Sequence, residues 1–261
     1  MYNVLKNIFT VITQSDLKFV KSLSQKKFRQ KYNKFIAEGD KICSELLTAG
    51  GYQISKLYCT NDWYEKHVTA YPSLSKTVTV VTERDLGRVS QLRTPNKVVM
   101  ILNIPQGHDL PTDSAVGGVI YLDDVQDPGN VGTIIRIADW YGIRYVVRSA
   151  GTADFYSPKV VQSTMASFAN VSLHTASLDE VSMVLPEHSI VGAVLGGHSI
   201  SEHSWQAASI IVMGNESKGV TSSVADQLHH KLMLPGSDGR LADSLNVGIA
   251  AALMCQSWYS R

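Results

Sequence analysis

The 261-residue sequence has few cysteines and no long hydrophobic run, and both absences exclude classes of protein. The three cysteines, Cys43, Cys59 and Cys255, are odd in number and lack CxxC or metal-binding spacing. Reduced thiols in a cytoplasmic protein fit this usage best. The longest uncharged apolar run, residues 248–255, is far shorter than the roughly 20 residues that span a bilayer. We therefore expect neither a membrane protein nor a disulfide-stabilised secreted domain.

Metal-ligand patterns and a targeting sequence are also missing. None of the eight histidines lies in a zinc-binding pattern, and His229 and His230 are adjacent, so they cannot act as i, i+4 ligands on one helix face. Residues 1–13 carry one lysine and no small-residue cleavage pattern. This predicts no secretory signal, although a short transit peptide stays open. Neither metal binding nor secretion is expected.

Charge is scarce and unevenly distributed. Charged residues make up 18% of the chain and hydrophobic residues 44%, which is enough apolar material for a folded core. The net charge of +1 hides an asymmetry, because residues 1–100 have 16 Lys and Arg against 8 Asp and Glu, whereas residues 101–261 have 8 against 15. This pattern predicts two units with different partners, of which the basic one suits a polyanion.

Hydrophobic periodicity predicts alternating strands and helices in both parts. In the first part, residues 1–103, the predicted strands are 34–38, 53–60, 77–82 and 97–103, and the main helices are 40–48 and 84–92. Residues 104–114 contain two prolines and a glycine, which is a linker composition. In the second part, residues 115–261, the predicted strands are 118–122, 145–148, 171–174, 190–195, 210–213 and 231–234. Its predicted helices are 131–141, 158–168, 178–185, 222–229 and 245–259. The nearly continuous apolar strands favour a parallel sheet that is covered on both faces.

Three polar, glycine-containing segments follow strands of the second part, where ligands of open α/β sheets bind. In the first, residues 122–136, Asn130 lies at a predicted helix start and Arg136 interrupts an apolar stretch. That arginine is either a functional group or a solvent-facing residue of an amphipathic helix. The second, residues 213–219, is either an ordinary turn or a loop that holds a purine through its backbone. In the third, residues 234–248, Ser244 is the predicted N-cap of the last helix and Asn246 lies just inside it.

Together these segments resemble a known family. DDVQDPGNVGTIIRIADWYGI, IVMGNESKGV and LPG…DSLNVGIAAALM are similar to the three motifs of the SpoU (TrmH-like) RNA 2′-O-ribose methyltransferases, in the same order and spacing. The stretch KKFRQKYNKFIAEGDKICSELL is similar to the start of the L30e-like RNA-binding domain that many members carry. The resemblance therefore covers most of the chain, more loosely before Gly118.

The resemblance implies a fold, a cofactor and partners. The fold class is α/β, with an L30e-like α/β domain followed by a mostly parallel-sheet α/β domain that holds a deep trefoil knot. The implied cofactor is S-adenosylmethionine, and the implied assembly is a homodimer through the C-terminal domain. The L30e-like domain favours rRNA as the substrate. Two alternatives stay open: a tRNA 2′-O-ribose methyltransferase, and a non-catalytic RNA-binding protein with a decayed transferase half.

The resemblance also implies site residues. The catalytic positions of the family match Asn130, Arg136, Glu216, Ser244 and Asn246, and its mostly backbone contacts to the cofactor match Leu195, Gly214, Leu234 and Leu245. Arg136 is expected either to take the proton of the 2′-hydroxyl or to bind the adjacent phosphate, since a guanidinium holds its proton strongly. Ser217 replaces a glycine that is common in the family, and this could alter the backbone φ of the loop.

A basic stretch marks the first part of the chain. Residues 18–34 contain seven lysines and arginines, no acid and interleaved aromatic residues. Such a run is either a solvated helix face or an RNA contact. With a transferase domain attached, we expect RNA contacts from Lys26, Lys27, Arg29 and Lys31.

Overall fold

The computed structural model describes residues 11–92, 94, 96–106, 110 and 117–261. The chain forms two compact units. The first comprises Met1–Gln106 and Tyr156–Ala169, and the second comprises Gly107–Phe155 and Asn170–Arg261. Most of the predicted linker, 104–114, and most of residues 1–13 fall outside the described residues.

The first unit is built around a mixed four-stranded sheet. Its strands are β1 (Lys34–Glu38), β2 (Ile54–Cys59), β3 (Val78–Val80) and β4 (Val98–Asn103). Its helices are α1 (Gln14–Ser22), α2 (Lys26–Tyr32), α3 (Asp40–Ala49), α4 (Asn61–Trp63), α5 (Glu83–Val89) and α7 (Pro158–Thr164). The strand order is β1-β4-β2-β3, with β4 antiparallel to both neighbours and β3 parallel to β2. The four predicted strands are confirmed, and β1 has the predicted bounds.

Helices α1 and α5 cover one face of this sheet. Leu17, Val20 and Leu23 form one buried cluster with Leu86 and with side chains of the sheet that include Ile101. Burying these apolar side chains is the main favourable contribution to folding the unit. Helices α1 and α2 span most of the basic stretch.

Arg29 points into this unit, which corrects one of the expected RNA contacts. The residue is only 3% exposed, and its guanidinium donates hydrogen bonds to the carbonyl oxygens of Leu23 (2.9 Å) and Ser24 (2.8 Å). These carbonyls follow the last turn of α1, where backbone acceptors lack helical partners. Arg29 thus fastens the corner between α1 and α2 and is a structural residue.

Replacing Arg29 with alanine is expected to destabilise the first unit by about 2–4 kcal/mol, because two charge-assisted hydrogen bonds are lost and two carbonyls are left without donors. Urea unfolding followed by circular dichroism measures the change. Lys31→Ala on the exposed side of the same helix is the matched control and should shift stability by less than about 0.5 kcal/mol. Equal unfolding midpoints for the two variants would contradict a structural role.

The second unit holds a parallel six-stranded sheet. Its strands are β5 (Gly118–Leu122), β6 (Tyr145–Arg148), β7 (Ser172–Thr175), β8 (Ser189–Ser199), β9 (Ser209–Met213) and β10 (His230–Met233). Its helices are α6 (Pro128–Trp140), α8 (Leu178–Val184), α9 (Ser222–Ala225) and α10 (Val247–Tyr259). The strand order is β10-β8-β9-β5-β6-β7, and every neighbouring pair is parallel. The predicted parallel sheet is confirmed.

Both faces of this sheet are covered, as the continuous apolar strands predict. On one face, Leu178 and Val181 of α8 pack with Val119 and Ile210. On the other, Trp258 of α10 lies so close to Gly118 that an added Cβ would come within 2.8 Å of the indole ring. Strands β5 and β9 are buried along their whole length, so each is apolar at every position except Gly118 and Ser209.

The largest differences between predicted and observed bounds affect three elements. The predicted helix 158–168 ends at Thr164, because Met165 (φ 51°) and Ala166 (φ 79°) adopt left-handed backbone conformations. The predicted strand 190–195 continues to Ser199, because the chain rejoins β10 beyond residue 197. The predicted helix 222–229 is a single turn that ends at Ala225.

Within the described residues, no helix is long and apolar enough to cross a membrane.

Candidate functional site

The first motif, residues 122–136, and the second, residues 213–219, begin at the ends of two neighbouring strands. Leu122 at the end of β5 pairs with Met213 at the end of β9, and the Asp123 N–H extends the ladder by donating to the Met213 carbonyl oxygen at 2.8 Å. Because the strands are parallel, the two loops emerge at the same edge of the sheet, where α/β proteins bind ligands. The sequence prediction that these motifs meet is therefore confirmed for the first two.

The N-terminus of helix α6 is capped by a side chain. The side chain of Asp127 accepts a hydrogen bond from the Asn130 N–H (2.9 Å), and Pro128 occupies the first turn. Aspartate is a preferred N-cap, and proline suits the first helical position because it has no N–H to satisfy. The cap sets Asn130 at the start of the helix, with its side chain directed away from the helix axis.

A chain of amide and carboxylate side chains joins all three motifs. Asn130 Nδ2 donates to Glu216 Oε1 at 2.8 Å. Asn246 Nδ2 donates to Asn130 Oδ1 at 2.9 Å. Glu216 and Asn130 are partly buried, while Asn246 is exposed. We call Glu216, Asn130 and Asn246 the motif network; it brings together three of the five predicted catalytic residues.

Asn246 also starts the last helix, which corrects the expectation for Ser244. The Asn246 side-chain oxygen accepts hydrogen bonds from the N–H groups of Gly248 (2.9 Å) and Ile249 (3.4 Å), so Asn246 is the N-cap of α10. Ser244 lies exposed in the preceding loop, three residues before α10 begins. Serine and asparagine are similarly good caps, so sequence propensity alone could not choose between them.

The second motif closes on itself as a tight loop. The backbones of Asn215 and Gly219 exchange two hydrogen bonds of 2.9 Å. Gly219 has a φ of +69°, and a Cβ added to Gly214 would lie 2.5 Å from the Gly219 carbonyl carbon, so both positions require glycine. Ser217 does not carry the left-handed conformation; its N–H donates to Asn215 Oδ1 at 2.9 Å. The replacement of glycine by Ser217 therefore leaves the backbone of this loop intact.

Three residues that the sequence analysis did not single out hold the loops in place. Asp123 is 3% exposed and its carboxylate accepts the Thr221 N–H at 2.6 Å. Asn215 Nδ2 donates to the Asp124 carbonyl oxygen at 2.8 Å, and Asp124 adopts a left-handed φ of 57°. Aspartate and asparagine directly after a strand are the available sequence signal, since their short side chains bond to nearby backbone.

Arg136 lies apart from the motif network within one chain. It is exposed on α6, six residues beyond Asn130, which corresponds to a rise of about 9 Å along the helix. It shares the exposed side of α6 with Trp140, which lies four residues later and is 83% exposed. The structure therefore leaves the guanidinium free to reach toward a substrate or a second protein surface.

Three of the four predicted cofactor-binding positions, Leu195, Gly214 and Leu234, lie on or beside β8, β9 and β10, and Leu245 lies in the loop before α10. Residues 193–197 of β8 pair with neither neighbouring strand, although β8 is paired on both sides of this bulge. Leu195 at the tip is 72% exposed and Leu245 is 49% exposed, whereas Gly214 is buried and Leu234 half-buried. The bulge thus places backbone groups outside the regular strand ladders and carries the exposed Leu195 side chain.

Lys26, Lys27 and Lys31, the remaining predicted RNA contacts, are all exposed on α2.

Family models match both units of the chain. The SpoU rRNA Methylase family model matches residues 118–256, and the MRM3-like substrate binding domain model matches residues 14–100. The first match includes every motif described above. The second match includes α1 and α2.

Relatives and solved structures resemble the chain over nearly its whole length. The 23S rRNA (guanosine(2553)-2′-O)-methyltransferase RlmP of Bacillus subtilis is 29% identical over 90% of this chain and 92% of its own. A TrmH-family structure from Porphyromonas gingivalis is 32% identical, with a TM-score of 0.85 over 95% of this chain and 98% of its own. The AdoMet-bound rRNA methyltransferase of Sinorhizobium meliloti is 26% identical, with a TM-score of 0.85 and 96% coverage of both chains.

Proposed function

The chain belongs to the SpoU rRNA methylase family, and we propose that it transfers the methyl group of S-adenosylmethionine to a ribose 2′-hydroxyl of ribosomal RNA. The observation that carries this function is the motif network, in which Glu216, Asn130 and Asn246 link three distant segments by side-chain hydrogen bonds. A decayed transferase would have no reason to retain this polar arrangement at the edge of its sheet. The rRNA target follows the Bacillus subtilis relative, whose name specifies 23S rRNA.

The cofactor fits the backbone bulge of β8. Backbone groups of residues 193–197, which lie outside the strand ladders, and of the Gly214–Gly219 loop can bond the polar edge of an adenine. Leu195, Leu234 and Leu245 supply apolar contacts to its faces. S-adenosylmethionine, when bound, supplies an activated methyl group, so the protein has to position the acceptor and receive its proton.

On the substrate side, each polar residue receives a positioning role. Glu216 orients Asn130, Asn130 orients Asn246, and the network holds the ribose in line with the methyl group. Ser244 is placed to contact the substrate from the loop before α10. Arg136 either accepts the proton of the hydroxyl or binds the adjacent phosphate in a fork, which places the hydroxyl in line.

A homodimer through the second unit belongs to the same proposal. Helices α6 and α10 pack together, and their outer sides expose Trp140 (83%), Ile249 (55%), Leu253 (44%) and Tyr259 (61%). An apolar surface of this kind marks a protein interface. A second copy on this surface would bring Arg136 close to the subunit interface. Sedimentation should give twice the monomer mass, and Trp140→Glu should restore the monomer.

Four finer features complete the proposal. We propose a trefoil knot in the second unit, which the three SpoU-type motifs imply, and an L30e-like relationship for the first, which the stretch KKFRQKYNKFIAEGDKICSELL implies. We propose domain bounds of 1–103 and 115–261 with a linker at 104–114, although residues 156–169 of the second domain belong to the first compact unit. A cytoplasmic location is supported by three free, buried cysteines.

Methyl transfer from tritiated S-adenosylmethionine tests the function directly. Purified protein should label a 23S rRNA transcript and leave 16S rRNA and tRNA transcripts unlabelled. Nuclease digestion should then place the label on a 2′-O-methylated nucleotide. Labelling of tRNA alone would establish the tRNA alternative, and cofactor binding without labelling of any RNA would refute the assigned activity.

Neutralising three exposed lysines should weaken RNA binding and flatten its salt dependence. For Lys26→Gln/Lys27→Gln/Lys31→Gln we expect the slope of log K against log salt to fall by about 2, because each single-strand phosphate contact contributes roughly 0.7. Fluorescence anisotropy with a labelled rRNA fragment gives the slope. Lys66→Gln/Lys76→Gln removes exposed charge elsewhere in the same unit and serves as the control. An unchanged slope in the triple variant would place the RNA elsewhere.

A further inference from the structure

Three aromatic rings form a continuous surface at the corner between α1 and α2. Phe28 and Tyr32 lie four residues apart on α2, with their rings nearly parallel at 11° and their centroids 6.2 Å apart. Phe19 of α1 meets the Tyr32 ring edge-on, with the centroids 5.1 Å apart. Tyr32 is 38% exposed, and Phe19 and Phe28 are partly exposed. Phe19 also packs against the core cluster of the first unit, and all three rings present part of their area to solvent.

Two ammonium groups lie over the same rings. Lys27 Nζ is 4.9 Å from the centroid of Phe28, and Lys31 Nζ is 5.5 Å from the centroid of Tyr32. Both lysines are exposed, so a ligand can reach their ammonium groups and the solvent-exposed parts of the two rings. No acidic residue occurs between residues 18 and 34, so the stretch itself carries only positive charge. We call Phe19, Phe28, Tyr32, Lys27 and Lys31 the corner surface.

The corner surface is held in a defined shape by Arg29. Its guanidinium bonds the carbonyl oxygens of Leu23 and Ser24, so α2 is tied to the end of α1. The rings of Phe28 and Tyr32 are thereby presented in one arrangement. A preorganised surface loses little conformational entropy when it binds a ligand.

We propose that the corner surface binds an unpaired stretch of RNA by stacking bases on Phe28 and Tyr32 while Lys27 and Lys31 contact the adjacent phosphates. Partly exposed aromatic rings beside mobile ammonium groups match a nucleotide, which has a flat base to stack on a ring and an anionic phosphate to pair with a lysine. A duplex hides its base faces and leaves the rings unused, so the surface selects single-stranded RNA. This proposal depends on the proposed function in one respect, the choice of RNA as the class of partner.

Anisotropy titrations of the full chain with three fluorescent RNAs test this assignment. The probes are a single strand of about ten nucleotides, the same strand with its central bases removed, and a blunt hairpin of equal charge. We expect the base-bearing strand to bind about tenfold more tightly than the abasic strand and more tightly than the hairpin. Equal affinity for the two strands, or a preference for the hairpin, would overturn the proposal.

Variants then assign the effect to residues. Phe28→Leu/Tyr32→Leu keeps apolar bulk and should abolish the preference for bases, whereas Tyr32→Phe should retain it. Lys27→Gln/Lys31→Gln should weaken binding of both strands by a similar factor and leave their ratio unchanged. Retention of the tenfold ratio in the leucine variant would contradict stacking on these rings.

A folding control and the choice of readout separate loss of base stacking from unfolding and from loss of methyl transfer. Thermal melting shows whether the leucine variant is folded, and the comparison of strands by the unaltered protein tests the proposal even if that variant unfolds. The binding ratio does not depend on methyl transfer. A protein that shows the ratio but does not label rRNA would therefore refute the proposed function alone.

Discussion

Replacing Arg136 with alanine should lower methyl transfer by about 10²–10⁴-fold while S-adenosylmethionine binds as before. The guanidinium is exposed on α6 and lies outside the motif network, so its loss leaves the fold and the β8 bulge intact. Both roles considered for Arg136, proton acceptor and phosphate fork, require the side chain during transfer. Tritium transfer to 23S rRNA measures the first quantity and titration calorimetry measures the second.

Two further substitutions sharpen the Arg136 experiment. Arg144→Ala removes another exposed arginine from the same unit and should retain most of the activity. Arg136→Lys separates the two roles, because a lysine loses its proton more easily than an arginine at high pH but cannot form two parallel hydrogen bonds to the adjacent phosphate. A proton-acceptor role predicts activity that rises with pH, and a phosphate role predicts weak activity that is independent of pH. Activity of Arg136→Ala equal to that of the unaltered protein would eliminate both roles.

Replacing Asn246 with aspartate should lower activity by about 100-fold without destabilising the protein. The aspartate keeps an oxygen for the N–H groups of Gly248 and Ile249, and its negative charge suits a helix N-terminus. It cannot donate to Asn130 Oδ1, so the motif network is broken at this link. A misplacement of about 1 Å in a catalytic arrangement is enough for an effect of this size.

Asn246→Ala provides the comparison, because it removes both the cap and the link. We expect this variant to show the same loss of activity as Asn246→Asp and, in addition, a free energy of unfolding that is lower by about 1 kcal/mol. Thermal melting and tritium transfer, measured on both variants, separate the two contributions. Full activity of Asn246→Asp would show that Asn246 acts only as a cap, and the network would then have no part in positioning the ribose.

The sequence predicted the candidate site to different degrees for different residues. Asn130, Glu216 and Asn246 were expected together, and their contacts confirm that they meet. The motif resemblance supported all three, since no local pattern relates residues so far apart. Ser244 was taken for the N-cap of α10 because serine has the right propensity, but the chain enters the helix two residues later, at Asn246.

The supporting residues of the loops were not predicted. The buried carboxylate of Asp123 and the strained backbone of Asp124 depend on where the neighbouring loops lie. An aspartate that follows a strand can bond to many backbone groups, and the local sequence does not specify which of them lies nearby in the fold. The same limit applied to Arg29, which shares a helix with exposed lysines but faces the opposite way.

The sequence by itself determined the order of strands and helices and the division into a basic and an acidic part. These properties follow from local hydrophobic periodicity and composition, which a single chain displays without reference to its fold. Only the tertiary structure decided which polar side chains meet. Asn246 reaches Asn130 across 116 residues and Asn130 reaches Glu216 across 86, because the order of the parallel strands brings three loops to one edge. It also decided that Arg29 turns inward, where its guanidinium donates to the carbonyl oxygens of Leu23 and Ser24 at the end of α1.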